Sequence, residues 1–82
     1  MTQPGKPIIL AVDDDPRMLE SIERTLSDVD CTLLTATDGA SALSTATAER
    51  APDLLILDRM LPDVDGVELL GHLRAQGIAS PA

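Results

Sequence analysis

The sequence predicts an α/β fold built on a parallel sheet, and three observations carry that prediction. The runs Ile8-Ile9-Leu10-Ala11-Val12 and Leu54-Leu55-Ile56-Leu57 are apolar without alternation, as strands covered on both faces require. Between and after them lie stretches whose apolar residues recur at helical spacing. Both apolar runs end on aspartate, which places acidic side chains along one edge of the sheet. Strands alternating with helices imply parallel neighbours joined by right-handed crossovers.

Each element follows from local chemistry. Residues 1–6 are polar, contain Pro and Gly, and read as a flexible leader. Strand β1 is expected over 7–13 and stops abruptly at Asp13-Asp14-Asp15-Pro16. A carboxylate N-cap followed by proline starts helix α1, expected over 16–28. Met18, Leu19, Ile22 and Leu26 form its apolar stripe, opposite Arg17, Glu20, Glu23 and Arg24. Strand β2 is expected over 31–36, with Asp38-Gly39 as the turn that closes it. Helix α2, over 39–50, is rich in Ala, Ser and Thr and turns Leu43 and Ala46 inward, a composition that makes a weak helix. Pro52-Asp53 opens strand β3, over 53–58. A loop from Arg59 to Asp65 leads into helix α3, over 66–76. Asp65 and Glu68 there have the spacing of a capping box, and Val67, Leu69, Leu70 and Leu73 supply the stripe. Gly77 is placed to end that helix.

Length and composition bound the function. At 82 residues there is room for one domain, and with no Phe, Tyr or Trp its core must come from Leu, Ile, Val, Ala and Met. A formal net charge of −8 without any Lys/Arg stripe argues against direct nucleic-acid binding by this segment. The single cysteine, Cys31, cannot form an internal disulfide, fits a reducing compartment and reads as a small apolar residue at a strand start. There is no basic-then-apolar signal pattern, and the longest apolar run, Pro7 to Val12, is too short to cross a bilayer. The expectation is a soluble, cytoplasmic protein with no membrane partner.

The acidic residues cluster where chemistry is expected. In an open parallel sheet, ligands bind beyond the carboxyl ends of the strands. Asp13 and Asp14 end β1 and Asp58 ends β3. If those strands are neighbours, about 4.8 Å apart, three carboxylates converge on one cleft. Carboxylates crowded together repel unless a cation sits among them. Oxygen donors without His or Cys favour Mg²⁺ or Mn²⁺ over zinc.

Three segments carry a specific resemblance. Ile-Leu-Ala-Val-Asp-Asp-Asp-Pro (9–16), Thr-Ala-Thr-Asp-Gly (35–39) and Pro-Asp-Leu-Leu-Ile-Leu-Asp-Arg-Met-Leu-Pro-Asp-Val-Asp-Gly (52–66) resemble those of bacterial two-component response-regulator receivers of the chemotaxis type. The match runs from about Ile8 to the end of the sequence. It implies a flavodoxin-like, doubly wound parallel sheet, here truncated to (βα)3 with strand order 2-1-3. It implies that Asp58 is the phospho-acceptor and that Asp13 and Asp14 hold Mg²⁺, Asp14 directly and Asp13 through water. It also implies that the backbone carbonyl of Met60 is a further metal ligand, and that Pro62 and Gly66 shape the loop after the acceptor. The implied donor is a sensor histidine kinase or a small phosphodonor such as acetyl phosphate, and the implied role is that of a signalling acceptor, not an enzyme. The family's pattern continues past residue 82 with a Thr or Ser and then a Lys. From this follow the expectations of weak Mg²⁺ binding, slow phosphorylation, and an open β3 edge that supports a homodimer or a swapped assembly.

Other readings fit the sequence less well. Asp63-x-Asp65-Gly66 echoes part of a calcium loop but lacks the remaining ligand positions, so a loop turn with a helix cap is expected. His72 has no nucleophile or carboxylate at catalytic spacing and reads as a surface residue, as does Arg59 at the cleft mouth. An aspartyl-nucleophile phosphatase would carry a second Asp two residues after the first, where Met60 stands. The alternative from a different class is a non-phosphorylated pseudo-receiver that serves only as a self-association module.

Overall fold

The computed structural model describes residues 6–48 and 51–78. In chain order the elements are β1 (Ile8–Val12), α1 (Pro16–Thr25), β2 (Thr32–Ala36), α2 (Gly39–Ala48), β3 (Leu54–Leu57) and α3 (Gly66–Ala75). The strands form one sheet in the order β2-β1-β3, and both pairings are parallel. This is the strand order 2-1-3 of a flavodoxin-like fold.

Register decides what emerges at the sheet's edge. Ile8 pairs with Thr32 and Ile9 with Leu54, so Val12 stands level with both Ala36 and Leu57. Backbone bonds carry the ladder one residue further at that end. Asp13 N–H donates to the Ala36 carbonyl at 3.1 Å, and Asp58 N–H to the Val12 carbonyl at 2.8 Å. At the other end Asp53 N–H reaches the Ile8 carbonyl at 2.7 Å, while the Asp53 carboxylate accepts the Ile8 N–H, also at 2.7 Å. Asp13, Asp53 and Asp58, expected within the strands, therefore pair just outside the regular runs, whereas Cys31 precedes β2 and turns its N–H to the Val29 carbonyl at 2.9 Å.

Every residue of β1 is buried, which is why its sequence shows no alternation. Leu10 and Val12 share one core with Ala36, Leu55, Ala42 and Ala46 of α2, Leu69 and Leu73 of α3, and Ile78. Burial of a side chain such as Leu10 or Leu69 contributes about 1.5–3 kcal/mol. Side chains alternate along a strand, so Ile9 and Ala11 face the opposite layer, where α1 packs on β1 and buries Leu19. Helices thus cover both faces of β1.

Several expectations need correction. Helix α1 ends at Thr25, three residues early. Leu26 is its C-cap, and Ser27 and Val29 make turn bonds to Arg24 and Leu26 instead. Ser27 and Asp28 favour such local turns over helix. Met18 is 49% exposed, because the face of α1 that β1 covers centres on Leu19. In α3, Val67 is 70% exposed. It lies roughly 100° around the helix from Gly66, off the face made by Gly66, Leu69 and Leu73. Strand β3 is not covered on both faces: Leu55 is buried, but Leu54 is exposed at what is, among the described residues, the sheet's edge. In α2, Ala42 joins Ala46 in the core while Leu43 is half-buried.

The helix ends also differ in detail. Asp65 caps α3 by accepting the Val67 N–H at 2.8 Å, a bond to the second helical residue rather than the third that a capping box uses. Asp15 does the same for α1 through Arg17 N–H. Gly77 adopts φ 85°, and its N–H and that of Ile78 return to the Arg74 and Leu73 carbonyls at 3.0 Å each. That pair of bonds satisfies the last carbonyls of α3 and tucks Ile78 into the core. Lys6 is not part of a free leader, since its ammonium lies 3.1 Å from the Asp30 carboxylate. The rest of the expected leader, the last two residues of α2 as expected, and residues 79–82 lie outside the described residues.

Candidate metal centre

The level ends of β1 and β3 bring distant carboxylates together. Asp13 and Asp14 follow Val12, Asp58 follows Leu57, and Val12 and Leu57 are register partners. One carboxylate oxygen from each of Asp13, Asp14 and Asp58 lies within 4.8 Å of the others. Asp13 and Asp58 are half-buried and Asp14 is exposed. The Asp13 carboxylate also accepts the Asp15 N–H at 2.9 Å, which fixes its orientation and turns the chain toward α1.

Among the described residues, no ion pair reaches this trio. Lys6–Asp30, Arg17–Asp15 and Arg24–Glu20 are ion pairs that lie elsewhere and involve none of the three carboxylates. Like charges at this spacing repel, and an oxygen-only donor set suits a hard divalent cation. Asp13, Asp14 and Asp58 therefore fit Mg²⁺ or Mn²⁺ on donor chemistry. Met60, two residues past Asp58, exposes 77% of its surface.

The loop that carries Met60 is folded back on itself. Met60 and Asp65 form an antiparallel bridge, the Leu61 N–H reaches the Val64 carbonyl at 3.2 Å, and the Gly66 N–H reaches the Arg59 carbonyl at 2.7 Å. Gly66 lies against the backbone of Asp58. A β-carbon there would collide with the Asp58 carbonyl oxygen and approach Arg59 Cα at 3.0 Å. Arg59 is exposed and lines a shallow cleft with Leu57, Asp58, Gly66, Val67 and Leu70.

A second carboxylate of the loop was not foreseen in this role. Asp63, expected only as a turn residue, accepts the N–H groups of Gly39 at 2.8 Å and Ala40 at 3.1 Å, at the start of α2. The Gly39 N–H above all, helped by that of Ala40, holds its carboxyl below the usual range against a smaller opposing effect of burial. Asp38 takes the next N–H, that of Ser41, at 2.7 Å, so Asp38 and Gly39 start α2 as well as ending the β2 turn. The one sequence signal was negative: α2 has no acidic residue in its first turn, leaving N–H groups in want of an acceptor.

A family model described as the response regulator receiver domain matches residues 9–81. The chain belongs to the response regulator receiver family. Among curated relatives, the probable transcriptional regulatory protein TcrX of Mycobacterium tuberculosis is 38% identical over 78 residues, 94% of this chain and 33% of its own length. Among solved structures, the signal receiver domain of an HD domain-containing protein from Pseudomonas fluorescens Pf-5 superposes with TM-score 0.86 at 31% identity, over 98% of this chain and 58% of that one. The MaeR response regulator bound to beryllium trifluoride gives TM-score 0.79 at 27% identity, over 92% and 62%. The receiver spans a minor part of its relatives, 33% of TcrX and 29% of the regulator KdpE of the same species. Receivers are signalling modules, and no helix among the described residues is long and apolar enough to cross a membrane.

Proposed function

We propose that this receiver takes a phosphoryl group onto Asp58, with Asp13, Asp14, Asp58 and the Met60 carbonyl as the ligands of one Mg²⁺ or Mn²⁺ ion. The observation that carries the reading is the approach of three carboxylates to within 4.8 Å at the ends of β1 and β3. When bound, the cation neutralises charge on the attacking carboxylate and the phosphoryl oxygens. An Asp58 oxygen forms the new bond to phosphorus while the donor's bond breaks: the P–N bond of a kinase phosphohistidine, or the P–O bond of acetyl phosphate. The bonding electrons leave with imidazole or acetate. Gly66 keeps the start of α3 close behind the acceptor, and Asp13, tied to the Asp15 N–H, stays aimed at the site. Hydrolysis of the acyl phosphate returns Asp58 to its carboxylate.

The donor is a sensor histidine kinase or a small phosphodonor, and the setting is the cytoplasm. Beryllium trifluoride, found on the related MaeR, imitates a phosphoryl group and supports the reading. The exposed edge of β3 at Leu54 is the surface assigned to a second copy of the chain, and sedimentation at rising concentration tests that. The main experiment is incubation with acetyl phosphate, with and without Mg²⁺, read by intact mass. A Mg²⁺-dependent phosphoryl adduct that disappears in Asp58→Ala is expected, and an adduct that survives that substitution overturns the assignment.

A further inference from the structure

We propose that Asp63 is a positioning residue for the metal site, holding the Met60-bearing loop in shape through the first two N–H groups of α2. This inference rests on the phospho-acceptor reading above and deepens it. The loop from Arg59 to Asp65 is short and exposed at Arg59, Met60, Pro62, Asp63 and Asp65. Its own closing bonds, Leu61 to Val64 and Gly66 to Arg59, fold it but anchor it only to itself and to the start of α3. Asp63 supplies the tie to a separate element, accepting Gly39 N–H at 2.8 Å and Ala40 N–H at 3.1 Å.

Three features make this tie specific. It is bidentate and charge-assisted, and a carboxylate at a helix N-terminus is favoured by the helix dipole. It is supported by packing, because Val64 occupies the space a side chain on Gly39 would need, with the Asp63 Oδ1 3.2 Å from the same point. It also divides the work at the helix start, since Asp38 alone takes the Ser41 N–H. Asp38 and Asp63 thus cap the same helix, but only Asp63 belongs to the loop that carries Met60. Asp63 is not one of the clustered carboxylates and acts through the loop. Its effect is to fix where the Met60 carbonyl lies relative to Asp13, Asp14 and Asp58.

Asp38 provides the control. Mg²⁺ affinity is measured by calorimetry on the full chain for wild type, Asp63→Ala, Asp63→Asn and Asp38→Ala, with amide exchange of Gly39, Ala40, Met60 and Leu61 followed by NMR without metal. Substitution of groups that orient metal ligands typically weakens affinity about 10–100-fold. Asp63→Ala is expected near the lower end of that range, with faster exchange at Met60 and Leu61. Asp63→Asn, which keeps one acceptor oxygen, should recover part of the loss, and Asp38→Ala should bind like wild type. Phosphorylation by acetyl phosphate at saturating Mg²⁺ should be nearly restored in Asp63→Ala, because the defect lies in metal binding. If Asp63→Ala fails to fold, Asp63→Asn is compared with Asp38→Asn by the same criteria. Equal losses in the Asp63 and Asp38 variants, or none in either, overturn the proposal and leave the phospho-acceptor reading intact. A wild type that binds no Mg²⁺ overturns both.

Discussion

Gly66 packs against the backbone carbonyl of Asp58 with no room between them for a methyl group. The obstruction is backbone on both sides, Asp58 and Arg59, so it cannot be relieved by moving a flexible side chain. Gly66→Ala should therefore cost about 1–3 kcal/mol, as overpacking does, and displace Asp58 itself. Urea unfolding followed by circular dichroism measures the first effect, and the yield of phosphorylated protein measures the second. Gly71→Ala is the contrast: nothing lies near its added β-carbon, and helix propensity should make it neutral or stabilising.

Acid should erase the contribution of Asp63. Its carboxyl is held below the ordinary range in the fold, chiefly by the Gly39 N–H. A lowered folded value means the native state binds the proton less readily than the unfolded chain. The stabilisation is therefore fully present above the unfolded value of about 3.9 and disappears as pH falls through the folded one. The stability gap between wild type and Asp63→Asn should be constant near neutrality and close in acid. A gap that widens in acid would contradict the assignment.

The carboxylate trio predicts an inversion of stability. Without metal, Asp58→Asn removes one of three mutually repelling charges and should leave the fold as stable as wild type or more so. With Mg²⁺, wild type gains the linkage free energy of a ligand that binds only the native state, about 2.7 kcal/mol at a hundredfold excess over Kd. The variant should gain far less. Thermal unfolding of both proteins with and without Mg²⁺ checks the crossing.

Burial separates two apolar positions that the sequence made look alike. Leu10 is fully buried in the shared core, so Leu10→Ala should cost about 2–5 kcal/mol. Val67 is exposed, and Val67→Ala should stay within about 0.5 kcal/mol of wild type. Paired urea titrations give both values.

These contrasts explain what could be read from the sequence. The unbroken apolar run of β1 implied cover on both faces, and the fold supplies it with α1 on one side and α2 and α3 on the other. The meeting of Asp13, Asp14 and Asp58 followed once β1 and β3 were taken as neighbours, because both acidic runs stand directly after strand ends. Helical spacing, by contrast, gives an apolar arc without saying which part of it a neighbour covers, so Met18 and Val67 were assigned to faces they only border. The short α1 was obscured because Leu26 continues the stripe while the backbone has already begun to turn. Asp63 was hidden for a different reason. Its partners, Gly39 and Ala40, are 24 and 23 residues away, and capping rules read only local spacing.

The central claim is that one cation is shared by residues at the ends of two strands. Substoichiometric Mn²⁺ with amide-resolved NMR tests it most directly, because paramagnetic broadening falls off steeply with distance from the ion. Broadening should centre on Asp13, Asp14, Asp58 and Met60 and be displaced by excess Mg²⁺. Broadening centred on the other acidic segments, around Asp28 and Asp30 or Asp63 and Asp65, would contradict the account, as would its absence at residue 58.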